Sequence, residues 1–303
     1  MAPYTNWDGK NVSDFSWEDP YSFLGLGEEW SSLERARVAL LPVPYEATTS
    51  YMEGARRGPE AILVASRHVE LYDHELDAEP YRMGIHTHPM VELTAGGPEQ
   101  ALQELRSAYA EAADRDQFVI ALGGEHTITQ APVLYWADRL DDDLAILQFD
   151  AHADLRDSFH GTRWSHACVM RRVVDRVQPV GVGIRAIDVE ERRLMGELGL
   201  TMVYGEELGS EGWMDRALEA LTSENIYISF DVDFFDPAFV PSTGTPEPGG
   251  GTWEQATTLL RRVFAEKNVV AADVVELAPI AGLVAPDFLV ARLVYKMIGY
   301  SGV

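Results

Sequence analysis

The sequence predicts an α/β protein built in three layers (αβα), with helices on both sides of a central, mostly parallel sheet. Three observations carry that expectation. Short apolar runs alternate with longer amphipathic segments; the runs are apolar at consecutive positions, so both faces of each strand need covering; and acidic residues and histidines gather where the runs end. Open parallel sheets collect their ligands at that place, outside the carboxyl ends of the strands.

Residues 1 to about 35, opening MAPYTNWDGKNVSDFSWEDP, are polar, aromatic and turn-rich, and read as an arm draped over a surface or a neighbouring subunit. Residues 36–303 read as one domain. Within it, strands are expected in RVALLPVPY from Arg37, QFVIALGG from Gln117, LAILQFDAH from Leu144, PVGVGIR from Pro179, TMVYG from Thr201, NIYISFDVD from Asn225 and VVAADVVELAP from Val269. Each is too short for a typical helix, most are rich in β-branched residues, and several end in Gly, Pro or Asp. Helix-like segments between them include PEQALQELRSAYAEAADR, DVEERRLMGELG, MDRALEALTS and WEQATTLLRRVFAEK. A (β/α)8 barrel is the rival architecture, but only about seven strands are clear and nothing in the sequence signals closure. No repeat or low-complexity tract is present.

The length of 303 residues allows roughly 75% of the unfolded surface to be buried, and a hydrophobic content of 46% supplies a sizeable core. Against 49 acidic residues stand 24 basic ones, a formal net charge of −25. A field of that sign repels phosphate backbones, which argues against nucleic-acid binding, and it favours a cationic ligand. The single cysteine, Cys168, permits neither an intrachain disulfide nor a thiolate metal cluster, and it reads as a small buried residue with no base to activate it. Trp30, Trp136, Trp213 and Trp253 read as packing residues. The N-terminal stretch lacks the basic start and apolar centre of a signal peptide, and no apolar run reaches about 18 residues, so a cytoplasmic protein with no membrane partner is expected.

The stretch LQFDAHADLRDSF, Leu147 to Phe159, alternates Asp150, His152 and Asp154 with Ala151 and Ala153. On an extended strand, alternate side chains share a face, so these three are expected to converge. Carboxylates held so close repel, and one is normally protonated unless a cation sits between them. YISFDVDFFDP repeats the design with Asp231 and Asp233. His126 ends a third run in IALGGEHT, where Gly123 and Gly124 are expected to turn the backbone tightly into a helix start. A strand end turning into solvent also accommodates Asp and His, but six oxygen or nitrogen ligands at three strand ends ask for more. With no thiolate they suit hard or borderline divalent ions, and they are too many for one ion with an open site; a pair of manganese ions (two Mn2+) is expected. Such a pair activates a water for attack on carbon or phosphorus, which makes a hydrolase the expected class.

GGEHT, DAHADL and SFDVDFFDP, in that order and spacing, resemble the signature motifs of the arginase/agmatinase (ureohydrolase) family. The likeness runs from PYEATTSYMEGARRGP near residue 44, through STGTPEPGG at Ser242 to Gly250, to DVVELAP at Asp273 to Pro279. It implies the family's arginase-like αβα fold. It implies that His126, Asp150, Asp154 and Asp231 hold one manganese ion and Asp150, His152, Asp231 and Asp233 the other, with Asp150 and Asp231 bridging. It further implies that Asp154 accepts a hydrogen bond from the attacking hydroxide, and that Glu276 grips the substrate's guanidinium, a planar cation suited to a carboxylate. The implied reaction is hydrolysis of a guanidino group to urea and an amine. The implied assembly is a homo-oligomer, a trimer or hexamer.

His166 in RWSHACVMRR matches the family's mobile histidine, with Ala167 where glycine is more usual, and is taken as proton shuttle and substrate contact; His160 competes from the same loop. Arginases place small polar residues after their DAHxD motif to hold the amino-acid end of arginine, and here LRDSF stands there instead. Agmatine, cleaved to putrescine and urea, therefore leads, ahead of N1-aminopropylagmatine and guanidinobutyrate. Arg156 argues for formimidoylglutamate, since formimidoylglutamases resemble this DLR, although their loop usually lacks the Ser165-His166 pair. Arg156 either contacts substrate or pairs with Asp157 or another carboxylate away from the pocket. ELAP in place of the EVNP of many relatives bears on the shape of the guanidinium pocket. A non-catalytic, metal-binding interaction protein is the reading from another class; the coexistence of all six ligands with Glu276 and His166 speaks against it.

Overall fold

Each apolar run becomes a strand in the computed structural model, which describes residues 21–302. The strands are β1 Val38–Val43, β2 Ile85–Thr87, β3 Phe118–Gly123, β4 Ala145–Phe149, β5 Gln178–Ile184, β6 Met202–Tyr204, β7 Asn225–Asp231 and β8 Asn268–Val275. They form one sheet in the order β2-β1-β3-β8-β7-β4-β5-β6, parallel at every pairing. Because β2 and β6 are edges and do not pair with each other, the sheet is open and the barrel alternative is excluded. β2 is the strand the sequence hides: its three residues, Ile-His-Thr, are too few to show a pattern, and they are held by pairing with β1.

The helices are α1 Glu28–Ser31, α2 Gly58–Ser66, α3 Pro98–Ala112, α4 Gln130–Arg139, α5 Val169–Val173, α6 Val189–Leu198, α7 Trp213–Ala220, α8 Trp253–Glu266 and α9 Ala285–Ser301. Alternation along β1 shows how they cover the sheet. Val38 and Leu40 enter a core with Ile62 of α2, Leu218 of α7, Leu259 of α8 and Val294 of α9, while Ala39 and Leu41 face Leu102, Leu105 and Tyr109 of α3. Further along that second face, Ile146 of β4 packs with Val133 of α4, Val169 of α5 and Met195 of α6. Burying each large aliphatic side chain stabilises the fold by about 1.5–3 kcal/mol. α9 is buried on nearly every side and so shows no amphipathic stripe; its buried Lys296 is neutralised by Asp73 at 2.7 Å. Trp213 is buried, Trp136 and Trp253 pack against the cores, and Trp30 stands edge-on to Tyr81.

Most of the expected N-terminal arm lies outside the described residues. Within the described part, Phe23 is fully buried and its N–H donates to Thr87 Oγ1. No helix among the described residues is long and apolar enough to cross a membrane. β3 and β4 follow one another in the chain yet lie apart, with β8 and β7 between them. That reversal opens a crevice at the carboxyl ends of the four central strands.

Candidate metal centre and active-site cleft

Strand alternation is not what brings the acidic residues together. β4 ends at Phe149, so Asp150, His152 and Asp154 lie beyond it. Asp150 N donates to Val182 O, His152 bridges to Ala186, and Asp154 then adopts a positive φ of 53°. The turn, not the pleat, swings Asp154 inward, and aspartate is among the few residues that tolerate this conformation. Asp231 closes β7, and its carboxylate accepts the N–H of Asp233 at 2.9 Å, capping the short 3-10 turn Val232–Phe234 that carries Asp233. His126 opens another such turn, His126–Thr129. The preceding glycines allow close approach: a side chain on Gly124 would strike the Tyr45 carbonyl, and one on Gly123 would lie 2.7 Å from Val275 Cγ1. Glu276 follows β8 with a φ of 66°, and its Oε1 accepts the His126 N–H at 2.6 Å. Backbone held in this region costs on the order of 1–3 kcal/mol per residue and clusters at functional sites.

The six residues form one cage. His126 Nδ1 lies 3.2 Å from Asp150 Oδ2, 3.0 Å from Asp154 Oδ2 and 3.3 Å from Asp231 Oδ2. His152 Nδ1 lies 2.9 Å from Asp233 Oδ2 and 3.6 Å from Asp150 Oδ1. Asp150 thus turns one oxygen to each histidine. Two groups could each hold an ion, His126–Asp150–Asp231 and Asp150–His152–Asp233, and Asp150 is common to both.

The cage demands positive charge. Its four carboxylates are buried, and none pairs with a lysine or arginine among the described residues. Burial and the neighbouring Asp150 push Asp154 up to about 6, while burial, Asp233 and Asp150 push Asp231 well above the carboxylate range. Although burial works against it, the carboxylates hold His126 and His152 well above the usual histidine range, so in the bare cage protons supply the missing charge. The surroundings of His126 point to a metal instead. Tyr227 Oη and Ser229 Oγ both donate to the buried Asp273 carboxylate, at 2.8 and 2.9 Å. Ser229 Oγ, its hydrogen spent, accepts from His126 Nε2 at 2.8 Å. In the neutral ring that a metal requires, Nδ1 is then a lone pair aimed at three carboxylate oxygens, and it is a buried atom with no other hydrogen-bond partner. A lone pair facing anions in a dry site is tolerable with a cation between them. The oxygen and imidazole donors, with no thiolate, fit divalent ions.

Above the cage lies a cleft of about 330 Å³ whose walls include Glu276, His166, Arg156, Phe159, Glu191 and Glu247. Burial, then the charge of Glu125, pushes Glu276 up to about 8 in the bare site. His166 sits in the 3-10 turn His166–Cys168, its Nδ1 3.1 Å from Thr48 Oγ1. Burial and the cage histidines hold it down to about 4, so it is neutral near pH 7. His160 does not line the cleft; it is exposed and stacks on Phe159, ring centroids 4.2 Å apart. Arg156 lines the cleft, but its Nη1 binds Asp188 Oδ2 at 2.8 Å, and the guanidinium lies over the Phe159 ring. Asp157 is held by Arg172 instead. Burial pushes the Cys168 thiol up to about 11, which leaves it inert as a nucleophile.

Sequence reasoning missed Thr48, Ser229 and Asp273, and gave Glu125 no role. A signal existed for two of them. Ser229 and Asp273 are polar residues inside otherwise apolar strand runs, and a fully buried polar side chain needs a partner and a reason.

The arginase family model matches residues 36–299. The N(1)-aminopropylagmatine ureohydrolase of Synechocystis sp. is 39% identical over 295 residues, covering 93% of this chain and 94% of the relative. The agmatinase of Pyrococcus horikoshii is 32% identical over 277 residues, covering 89% and 93%. Among solved structures, the agmatine ureohydrolase of Thermoplasma volcanium aligns with a TM-score of 0.83 at 27% identity over 96% of each chain. With its open parallel sheet, carboxylate-rich cage and family match across nearly the whole described length, the chain belongs to the arginase family of binuclear metal hydrolases and is a ureohydrolase.

Proposed function

We propose that the chain is a manganese ureohydrolase that cleaves N1-aminopropylagmatine to urea and spermidine. The observation that carries the hydrolytic reading is the buried cage of His126, Asp150, His152, Asp154, Asp231 and Asp233 beneath a cleft into which Glu276 and His166 project. The sequence alone puts agmatine first; the identity of 39% to an aminopropylagmatine ureohydrolase, against 32% to an agmatinase, supports moving the longer substrate ahead. Agmatine, giving putrescine and urea, is the second reading.

His126, Asp150, Asp154 and Asp231 would hold one ion, and Asp150, His152, Asp231 and Asp233 the other. When bound, the two ions supply Lewis-acid charge and lower the pKa of a water at the cage. Glu276 binds the guanidinium as a charge-assisted acceptor. Asp154 accepts a proton from the water that attacks the guanidino carbon, and His166, neutral at rest, takes that proton up at Nε2 and passes it to the departing amine, so that both groups end as they began. Glu247 adds a carboxylate to the cleft wall, which suits the ammonium tail of a polyamine, as does the net charge of −25. Arg156, neutralised by Asp188, serves as a wall with Phe159 and not as an anchor for a carboxylate, which disfavours guanidinobutyrate and formimidoylglutamate. A cytoplasmic homo-oligomer, trimer or hexamer, completes the proposal.

Urea release with manganese against N1-aminopropylagmatine, agmatine, arginine and guanidinobutyrate, with formamide release from formimidoylglutamate alongside, tests the reading. The highest kcat/KM is expected for N1-aminopropylagmatine. Turnover of formimidoylglutamate alone would overturn the guanidino substrate, and preference for agmatine would restore the second reading.

A further inference from the structure

Glu125 belongs to the GGEHT stretch, yet the reaction described above gives it no task. It is a fully buried carboxylate beside the cage, and both its oxygens point away to the loop after β1. Oε2 accepts the N–H groups of Ala47 and Thr48 at 2.9 and 2.7 Å, and Oε1 lies 2.9 Å from Thr48 Oγ1. Thr48 Oγ1 has one hydrogen and several neighbours: Glu125 Oε1 at 2.9 Å, Thr127 Oγ1 at 3.3 Å, the His166 N–H at 3.0 Å and His166 Nδ1 at 3.1 Å. The carboxylate is the nearest and strongest acceptor, so the hydroxyl hydrogen goes to Glu125. Thr48 Oγ1 is then an acceptor toward His166: it takes the backbone N–H and favours a hydrogen on Nδ1, for which Ser165 Oγ at 3.3 Å is the more distant acceptor. Which ring nitrogen of a histidine carries the proton is set by the bond the other one makes.

From this geometry we propose that Glu125 and Thr48 are positioning residues that lock the His166 imidazole as its Nδ1–H tautomer, so that Nε2 alone faces the cleft as the proton-transferring atom. Reversed, the relay would place a lone pair at Nδ1 and an N–H at Nε2, and His166 would have no free site on the cleft side for a second proton. The same two bonds fix the ring's orientation, since Thr48 holds His166 through main chain and side chain at once. The inference rests on the role given to His166 under Proposed function.

A double-mutant cycle in the manganese-loaded enzyme separates the two. Thr48→Val keeps the shape and removes the hydroxyl; Thr48→Ser keeps the hydroxyl and removes a methyl. A positioned acid or base contributes about 10²–10⁴-fold, and a misdirected one forfeits a large part of that. Thr48→Val is expected to lower kcat by about tenfold or more, with KM within about threefold and manganese content unchanged, and Thr48→Ser to restore most of the loss. In a His166→Ala background, Thr48→Val should have no further effect. Wild-type kcat for Thr48→Val beside a slow His166→Ala would overturn the relay and leave the His166 assignment standing. Equal losses for Thr48→Ser and Thr48→Val would also overturn it, by making the methyl and not the hydroxyl the active feature. Wild-type turnover by His166→Ala would remove both.

Discussion

Replacing Glu276 by glutamine should slow the enzyme and stabilise the metal-free protein. The substitution keeps the carbonyl oxygen that accepts the His126 N–H at 2.6 Å and removes only the charge. Glu276 is 7% exposed, so a guanidinium bound to it is largely desolvated. Breaking a buried ion pair by removing one partner costs about 3–5 kcal/mol. At about 1.4 kcal/mol per decade, kcat/KM for N1-aminopropylagmatine or agmatine should fall by roughly two to three and a half decades. Urea release at saturating manganese reads this directly, and a loss smaller than about threefold would refute the guanidinium assignment. The stability effect has the opposite sign. In the bare site burial and Glu125 push this carboxyl from its ordinary 4.5 up to about 8. Between those values the folded state holds a proton that the unfolded state has released, so stability falls as pH rises through that window. E276Q lacks the penalty. The metal-free variant should therefore melt above the parent at about pH 8.5, with the difference fading near pH 4, and a lower Tm at the alkaline pH would refute the electrostatic account.

Metal uptake should depend on pH through the cage. Asp154, pushed up to about 6 in the metal-free protein, must be deprotonated to join a metal site, so manganese affinity should drop as pH falls through that value and uptake near pH 5.5 should release protons; calorimetry in buffers of differing ionisation enthalpy would detect them, and their absence would contradict the cage electrostatics. Arg156→Ala breaks a pair whose side chains are 36% and 31% exposed, so it should cost under about 1 kcal/mol in stability, with kcat/KM for the cationic substrates within about threefold; a tenfold loss would make Arg156 a substrate contact. His160→Ala should leave kcat within about twofold, because this ring stacks on Phe159 outside the cleft, whereas a crippled variant would move the shuttle role to it.

Seven of the eight strands were legible because each is a run of buried apolar residues, and the parallel sheet followed from their alternation with helices. β2 was not, since three residues carry no period. The six cage residues were legible as types and spacings, but the reason for their convergence was misread. Asp154 arrives through a left-handed turn and Asp233 through a capped 3-10 turn, and both depend on local backbone geometry that period-two reasoning does not contain. Residues that act through others were harder still. Thr48 lies 77 positions from Glu125 and 118 from His166, and Asp273 lies 44 positions from Ser229. Only the side-by-side placement of β1, β3, β8, β7 and β4 in the sheet makes these partners. The partner of Arg156 was likewise set by tertiary structure: the first residue flanking α6, Asp188, reaches it, while the adjacent Asp157 is taken by Arg172.

The central claim is a two-ion cage with Asp150 shared between the ions. Its most direct test is the manganese bound per chain, measured by equilibrium dialysis with elemental analysis beside urea release, for the parent and for Asp150→Ala. Two ions per chain in the parent, with both ions and turnover lost in the variant, is the predicted result. A variant that keeps both ions, or a parent that retains full turnover after manganese is stripped, would contradict it.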